Sequence, residues 1–225
     1  MLVLGFDTST DWGVLGLAQD GVVLAETGWQ VGRNQAERFL PVLAEMMDRL
    51  GLTPEAVDLL AVGCGPGSYT GLRSGLAMAE ALSFALDRAV TGVPTLAALA
   101  ENGAGFSGPV CPTIPARRGE VYAALYRGGE EIIKPAPFRP EDLLSALSAW
   151  REEPILLLGG GATGLVRLPE AGSFRFVLPP PEHHLLRGGT VARLGWKAPS
   201  RPARPLYLRR TEAEERLREE PRSCR

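Results

Sequence analysis

The stretch Cys64-Gly65-Pro66-Gly67-Ser68-Tyr69-Thr70-Gly71-Leu72-Arg73-Ser74-Gly75 joins the plainest strand signal in the chain to its plainest helix signal. Upstream, Val57 to Val62 is an apolar run short enough to be a strand buried on both faces. Downstream, Tyr69 to Leu86 contains no proline, and Ser68 stands where a helix N-cap would stand. Between them, glycine reaches backbone angles closed to other residues and proline fixes its own. A turn of this kind brings the backbone close to whatever lies above the strand end, which is how binding sites are made.

The spacing excludes two familiar chemistries. A P-loop needs G-x-x-x-x-G-K-[ST], but Thr70 stands five after Gly65, Leu72 five after Gly67, and no lysine is near. A nucleophile elbow needs glycine two before and two after its serine, whereas Ser68 has Pro66 and Thr70 there. What remains locally is a tight turn closed by a serine cap.

At 225 residues, 45% hydrophobic and 22% charged, the chain can hold one large domain or two small lobes. A formal net charge of −2 gives no overall attraction to a polyanion, so any contact with RNA needs a local patch or a partner's surface. Cysteines at 64, 111 and 224 make no C-x-x-C pair and suit a reducing compartment. With no signal-peptide pattern at the start and no run of membrane-spanning length, the expectation is a cytoplasmic protein that does not enter a membrane.

In order, Leu2 to Phe6, Val14 to Ala18 and Val22 to Ala25 read as strands, with Asp20-Gly21 a hairpin signal. Arg33 to Leu50 reads as an amphipathic helix on Phe39, Leu40, Leu43, Met46, Met47 and Leu50. The buried strand and the helix after the Gly-Pro-Gly turn follow, then a short strand at Ala89 to Val93 and a helix from Pro94 to Glu101. Strand-strand-strand-helix-strand-helix is the order of one lobe of the actin-like (ASKHA, ribonuclease H-like) α/β fold. The pattern restarts with strands at Val110 to Ile114, Glu120 to Tyr126 and Glu131 to Lys134, a helix at Pro140 to Trp150 and a strand at Ile155 to Leu158. After Leu168 only Phe174 to Leu178 and Thr190 to Trp196 are plausible elements, so the second lobe reads as a trimmed copy. The expected division is 1–104, 105–210 and a charged tail, 211–225.

Asp7 stands where such a fold places an acid near a metal-nucleotide, and the glycine turns at 65–67 and 159–161 could line the same cleft. One reading is therefore a weak nucleotide cleft of Asp7, Ser9, Gly65, Gly67, Ser68 and Gly160; the other is that Asp7 caps its own turn through Ser9 or Thr10. A metal pair is not visible, because His183 and His184 are adjacent and cannot bind at i, i+4 on a helix. Arg118, Glu120 and Tyr122 would share one face of a strand and Arg117 the other, making either a cleft wall or a solvated edge.

Gly65 to Gly75 closely resembles the GPGSFTGLRIG signature of the TsaB (YeaZ) family of bacterial tRNA threonylcarbamoyladenosine biosynthesis proteins. Phe6-Asp7-Thr8-Ser9-Thr10 looks like that family's opening strand and turn, Ala116 to Tyr122 like its middle-strand motif with Pro115 where an aspartate is usual, and Pro205-Leu206-Tyr207-Leu208-Arg209 like its terminal P-x-Y-L-R. The resemblance implies an actin-like fold and a non-catalytic subunit that binds and activates the catalytic TsaD. With the ATPase TsaE they would make threonylcarbamoyladenosine at position 37 of tRNA, and the subunit would form a homodimer when alone. Catalytic relatives resemble metal-dependent transferases with a His-x-x-x-His pair in the first helix; here that helix carries Asn34-Gln35-Ala36-Glu37 and no histidine, so no catalytic or metal residue is expected.

The resemblance also implies a helical partner interface, here Phe39, Leu43 and Met47 with Gly71, Leu72, Gly75, Leu76 and Ala79. Gly71, Gly75 and Ala79 recur every four residues as a stripe without bulky side chains; it would serve close approach either to a partner helix or to the chain's own sheet. The rival activities are an autonomous glycopeptidase-like hydrolase, for which Cys64 is the only alternative nucleophile, and a small-molecule kinase.

Overall fold

The structure, a computed structural model, describes residues 1–30 and 35–209, excluding the side chains of 35–37. The expected charged tail and the side chain at Gln35 lie outside the described residues. The chain opens with β1 (Leu2–Asp7), β2 (Trp12–Gln19) and β3 (Val22–Gln30) as an antiparallel meander. Asp20 and Gly21 both take positive φ, 50° and 81°, the conformation that an Asp-Gly hairpin turn requires. Then come α1 (Gln35–Arg49), β4 (Leu59–Gly63), α2 (Tyr69–Leu86) and β5 (Ala89–Val93), giving a sheet of order β3-β2-β1-β4-β5.

After α3 (Thr95–Ala100) the wiring repeats: β6 (Val110–Pro115), β7 (Val121–Arg127), β8 (Glu130–Phe138), α4 (Pro140–Ala146), β9 (Pro154–Leu158), α5 (Ala162–Leu165) and β10 (Arg175–Val177). The second sheet runs β10-β9-β6-β7-β8, the order of the first with each strand replaced by its counterpart. The second copy is trimmed after its fourth strand, where α5 has 4 residues against the 18 of α2.

Alternation along β1 and β4 explains why both are apolar throughout. Leu2, Leu4, Phe6, Leu60 and Val62 face a cluster with Phe39, Leu43, Met46 and Met47 of α1. Val3, Leu59 and Ala61 face the opposite cluster, which holds Val191 and Ala192 of α6 (Gly188–Lys197). A strand covered on both faces has no polar side to show.

Here chain order and position diverge from expectation. α6 falls within the span assigned by sequence to the second lobe, yet it packs on β1 to β5 of the first sheet. Its small residues permit that seat: a Cβ on Gly5 would lie 2.5 Å from Cα of Ala192, and one on Gly16 would overlap Gly189.

Two local readings also change. The strand expected from Val57 starts at Leu59, because Pro54–Ala56 is a 3-10 turn and Asp58 holds the N-terminal strand through Leu2, whose N–H donates to its carboxylate at 2.7 Å. Arg117–Gly119 is a 3-10 turn rather than strand, with Arg118 at φ 59°, so the shared face expected for Arg118, Glu120 and Tyr122 does not form.

Candidate functional site: the interlobe cleft and the outer face of α2

The carboxylate at the end of β1 is fully buried. Its Oδ1 accepts from the Ser9 N–H and its Oδ2 from the Thr95 hydroxyl, both at 2.7 Å. Thr95 in turn accepts from the Gly65 N–H at 3.0 Å, tying the start of α3 to the Gly-Pro-Gly turn. Gly63 has no side chain because a Cβ there would overlap the Asp7 carboxyl. Burial pushes the Asp7 pKa above its ordinary 3.8, and the hydrogen bonds from Thr95 and Ser9 oppose that shift. Asp7 therefore serves as an internal fastener joining β1, the glycine turn and α3.

Above this knot lies a cleft of about 1080 Å³ between the lobes. Of the residues that sequence placed at a nucleotide cleft, Ser9, Gly67, Ser68 and Gly160 line it, whereas Asp7 and Gly65 lie outside its lining. The turn's own amides are largely engaged: Gly65 N–H with Thr95, Ser68 N–H with the Ser9 carbonyl at 2.7 Å, and Gly71 N–H with the Ser68 hydroxyl at 3.3 Å. The last of these is the expected N-cap of α2. Cys64, the alternative nucleophile, is buried, and its thiol is pushed up to about 11, first by burial and then by the Asp7 charge. A thiol in that state is a poor nucleophile. Among the described residues no three His, Cys, Asp or Glu side chains converge on a metal-sized site.

The far wall comes from the second lobe, with Ile114, Arg117, Arg118, Tyr122 and His184. Both ring nitrogens of His184 lie 3.2 Å from carbonyls, those of Gly159 and Pro179. A C-terminal strap closes one side of the cleft. It follows β5, with Gly92 N–H donating to the Arg201 carbonyl at 2.9 Å, and then meets the turn, with Leu206 N–H donating to the Cys64 carbonyl at 2.8 Å. The Tyr207 ring lies 5.2 Å from that of Tyr69, and Arg209 pairs with Glu120 of the second lobe at 3.1 Å. The strap thus touches both lobes.

Sequence reasoning quoted the terminal Pro205 to Arg209 run without placing it, and it missed Thr95. A polar residue directly after Val93-Pro94, at the end of a buried strand, was the available signal.

The residues expected at a helical partner interface divide differently. Phe39, Leu43 and Met47 are core residues of α1, each 5% exposed or less. Gly71, Leu72, Gly75 and Ala79 are the buried face of α2, and Leu76 is partly buried against the same core. A Cβ on Gly71 would overlap the Thr8 carbonyl, and one on Gly75 would sit 2.6 Å from Thr8 Oγ1. The small stripe is thus used inside the chain, and this corrects its assignment to a partner. The opposite face of α2 carries Ala77, Ala81, Ala85 and Phe84, and Phe84 is 93% exposed. On α1, Leu40 is 59% exposed.

Residues 29–151 match the family model described as TsaD: tRNA N6-adenosine threonylcarbamoyltransferase. The chain is 30% identical over 223 residues to the tRNA threonylcarbamoyladenosine biosynthesis protein TsaB of Bacillus subtilis, covering 95% of this chain and 96% of that protein. It is 30% identical over 238 residues to the TsaB of Escherichia coli, covering 96% and 98%. The solved structure of YeaZ from Pseudomonas aeruginosa superposes with a TM-score of 0.76 at 29% identity, over 92% of this chain and 99% of that one. An Arthrobacter polyphosphate/ATP-glucomannokinase shares the fold at 14% identity and a TM-score of 0.52. The architecture is the two-lobed actin-like α/β fold.

Proposed function

This chain belongs to the TsaB family of tRNA threonylcarbamoyladenosine biosynthesis proteins, and on that premise we propose that it is the non-catalytic subunit that docks on and activates the catalytic TsaD. The observation that carries the reading is Phe84. A phenyl ring left 93% in water on a well-formed helix, beside the small exposed residues Ala77, Ala81 and Ala85, is the composition of a surface that another helix covers. Covering the ring would contribute about 2 kcal/mol from apolar area alone.

The cleft supports the same reading from the other side. The acid that a phosphoryl-transfer enzyme would turn toward a metal is fully buried against Gly63, and the one alternative nucleophile is a buried, protonated thiol. The fold keeps its cores and turns while its reactive groups are spent on packing. In the cytoplasm the subunit would work with TsaD and TsaE on tRNA position 37, meeting tRNA through the complex rather than through its own surface. Alone, it would use the same face of α2 to form a homodimer, so homodimer and heterodimer exclude each other.

The test mixes the full chain with TsaD and follows both complex formation by size exclusion and threonylcarbamoylation of tRNA in the presence of TsaE. Expected are a stoichiometric heterodimer, modification that depends on this chain, and no turnover by this chain alone. Modification at full rate by TsaD and TsaE without it, or ATP or peptide turnover by the isolated chain that is lost in Cys64→Ser, would overturn the proposal.

A further inference from the structure

The geometry points to the interlobe cleft as a metal-independent binding site for a small ligand that carries a flat ring and one anionic group, held between the strap tyrosine and the arginines of the second lobe. This goes beyond the docking role above and does not depend on it.

Three observations carry it. First, the cleft is large for a chain whose reactive groups are buried, and charge is distributed unevenly along it. Arg117, Arg118 and Arg209 line one end, and Asp11 is the single acid among the described lining residues. Second, the glycine turn is not where an anion goes. Its Gly65, Ser68 and Gly71 amides donate within the chain, and Asp7, the group that would bring in a divalent cation, is sealed beneath. An anion therefore finds its favourable end at the arginines, where guanidinium groups bind carboxylate or phosphate in paired hydrogen bonds. Third, the mouth carries a ring platform. Tyr69 and Tyr207 are 40% and 46% exposed, their rings tilted at 38°, and Arg73 lies 5.5 Å from the Tyr69 ring centre. Exposed tyrosines stack well on flat ligands at small entropic cost.

The backbone at the anion end is held for a purpose that packing does not explain. Arg118 sits at φ 59° and is followed by Gly119 at φ 75°. A long side chain in the left-handed region is uncommon where glycine would serve, and Gly119 itself has open space where a Cβ would go. The strap also joins the two ends of the site, since Tyr207 belongs to the platform and Arg209 to the charged end. A ligand anion would compete with Glu120 for Arg209.

Nucleoside monophosphates and aromatic carboxylates share this chemistry, and the experiment separates them. The full-length chain in EDTA is titrated calorimetrically with AMP, adenosine, inorganic phosphate and 4-hydroxyphenylacetate. Expected is saturable one-site binding of AMP, of 4-hydroxyphenylacetate, or of both in competition; the one that binds alone identifies the source. Adenosine and phosphate should bind about tenfold or more weaker, because each lacks one of the two anchors. Tyr207→Ala and Arg118→Gly should each weaken binding about tenfold. Glycine relieves the backbone at 118, so that variant is not lost to misfolding. Tyr207→Phe should bind as wild type, because the ring face is what is used. No saturation by either probe at several millimolar, saturation only with added Mg²⁺, or wild-type affinity in both Tyr207→Ala and Arg118→Gly would overturn the proposal.

Discussion

The two faces of α2 are built from the same small residues and do opposite things. The inner face places Gly71, Gly75 and Ala79 against Thr8 and β4 so closely that no Cβ fits at either glycine. The outer face places Ala77, Ala81 and Ala85 around Phe84, which touches water over nearly all of its surface. A stripe of small residues every four positions says that something comes close, and it leaves open which side of the helix that something is on. Here the near neighbour is the chain's own opening turn, and the surface left over for a partner is marked by one exposed aromatic ring.

The largest effect that can break this contrast is Gly75→Arg. Because a Cβ at 75 already meets Thr8 Oγ1 at 2.6 Å, a long cation there should destabilise the isolated chain by at least about 3 kcal/mol. Chemical denaturation of the purified variant measures it. A well-folded Gly75→Arg with unchanged stability would place the stripe outside the core.

Next comes the knot beneath the inner face. Thr95→Val removes a hydroxyl that donates to Asp7 and accepts from Gly65, leaving a buried carboxylate and a buried amide each short of a partner. The expected loss is about 2 kcal/mol, read from the same denaturation curves. A loss within about 0.5 kcal/mol would mean that the knot is loose.

A smaller effect is carried by pH. Burial raises the Asp7 pKa in the folded chain above its ordinary 3.8, so between those two values the folded state holds a proton that the unfolded state has released. Stability contributed by neutral Asp7 is thus present at low pH and lost as pH rises above 3.8 through the folded value. Asp7→Asn cannot ionise; measured against it, wild-type stability should be highest at the acid end and decline toward neutrality. A difference that grows with rising pH would reverse the sign and show that hydrogen bonding to the carboxylate outweighs burial. The smallest expected effect is none at all: Cys64 and Cys111, both buried and with thiols pushed up to about 11 and about 12, should resist alkylation at pH 8 in the folded chain and react fully in denaturant.

Much of the fold was legible because its elements carry local signatures. The apolar runs of β1 and β4, the Asp20-Gly21 hairpin and the Ser68 cap of α2 each announce themselves within a few residues. Local signals do not state which sheet an element joins. Gly188–Lys197 reads as a helix in either lobe, and only the glycine positions Gly5 and Gly16, far away in sequence, show that it seats on the first. The same limit applies to function. Asp7 reads equally as a metal-binding acid or as a turn cap, and the answer lies with Gly63 and Thr95, residues 56 and 88 positions further on. The strap is an irregular segment with no periodicity, so its contacts with Cys64, Tyr69 and Glu120 have no precursor in pattern.

The account's central claim is that the outer face of α2, and not its glycine stripe, meets the catalytic subunit. Phe84→Lys tests it most directly, since a cation near the C-terminal end of a helix suits the helix dipole and spares the fold. Calorimetric titration of TsaD into this variant should show association weakened by about 2 kcal/mol, roughly thirtyfold, with thermal stability of the free subunit unchanged. Wild-type affinity in a folded Phe84→Lys would contradict the claim and move the docking surface elsewhere.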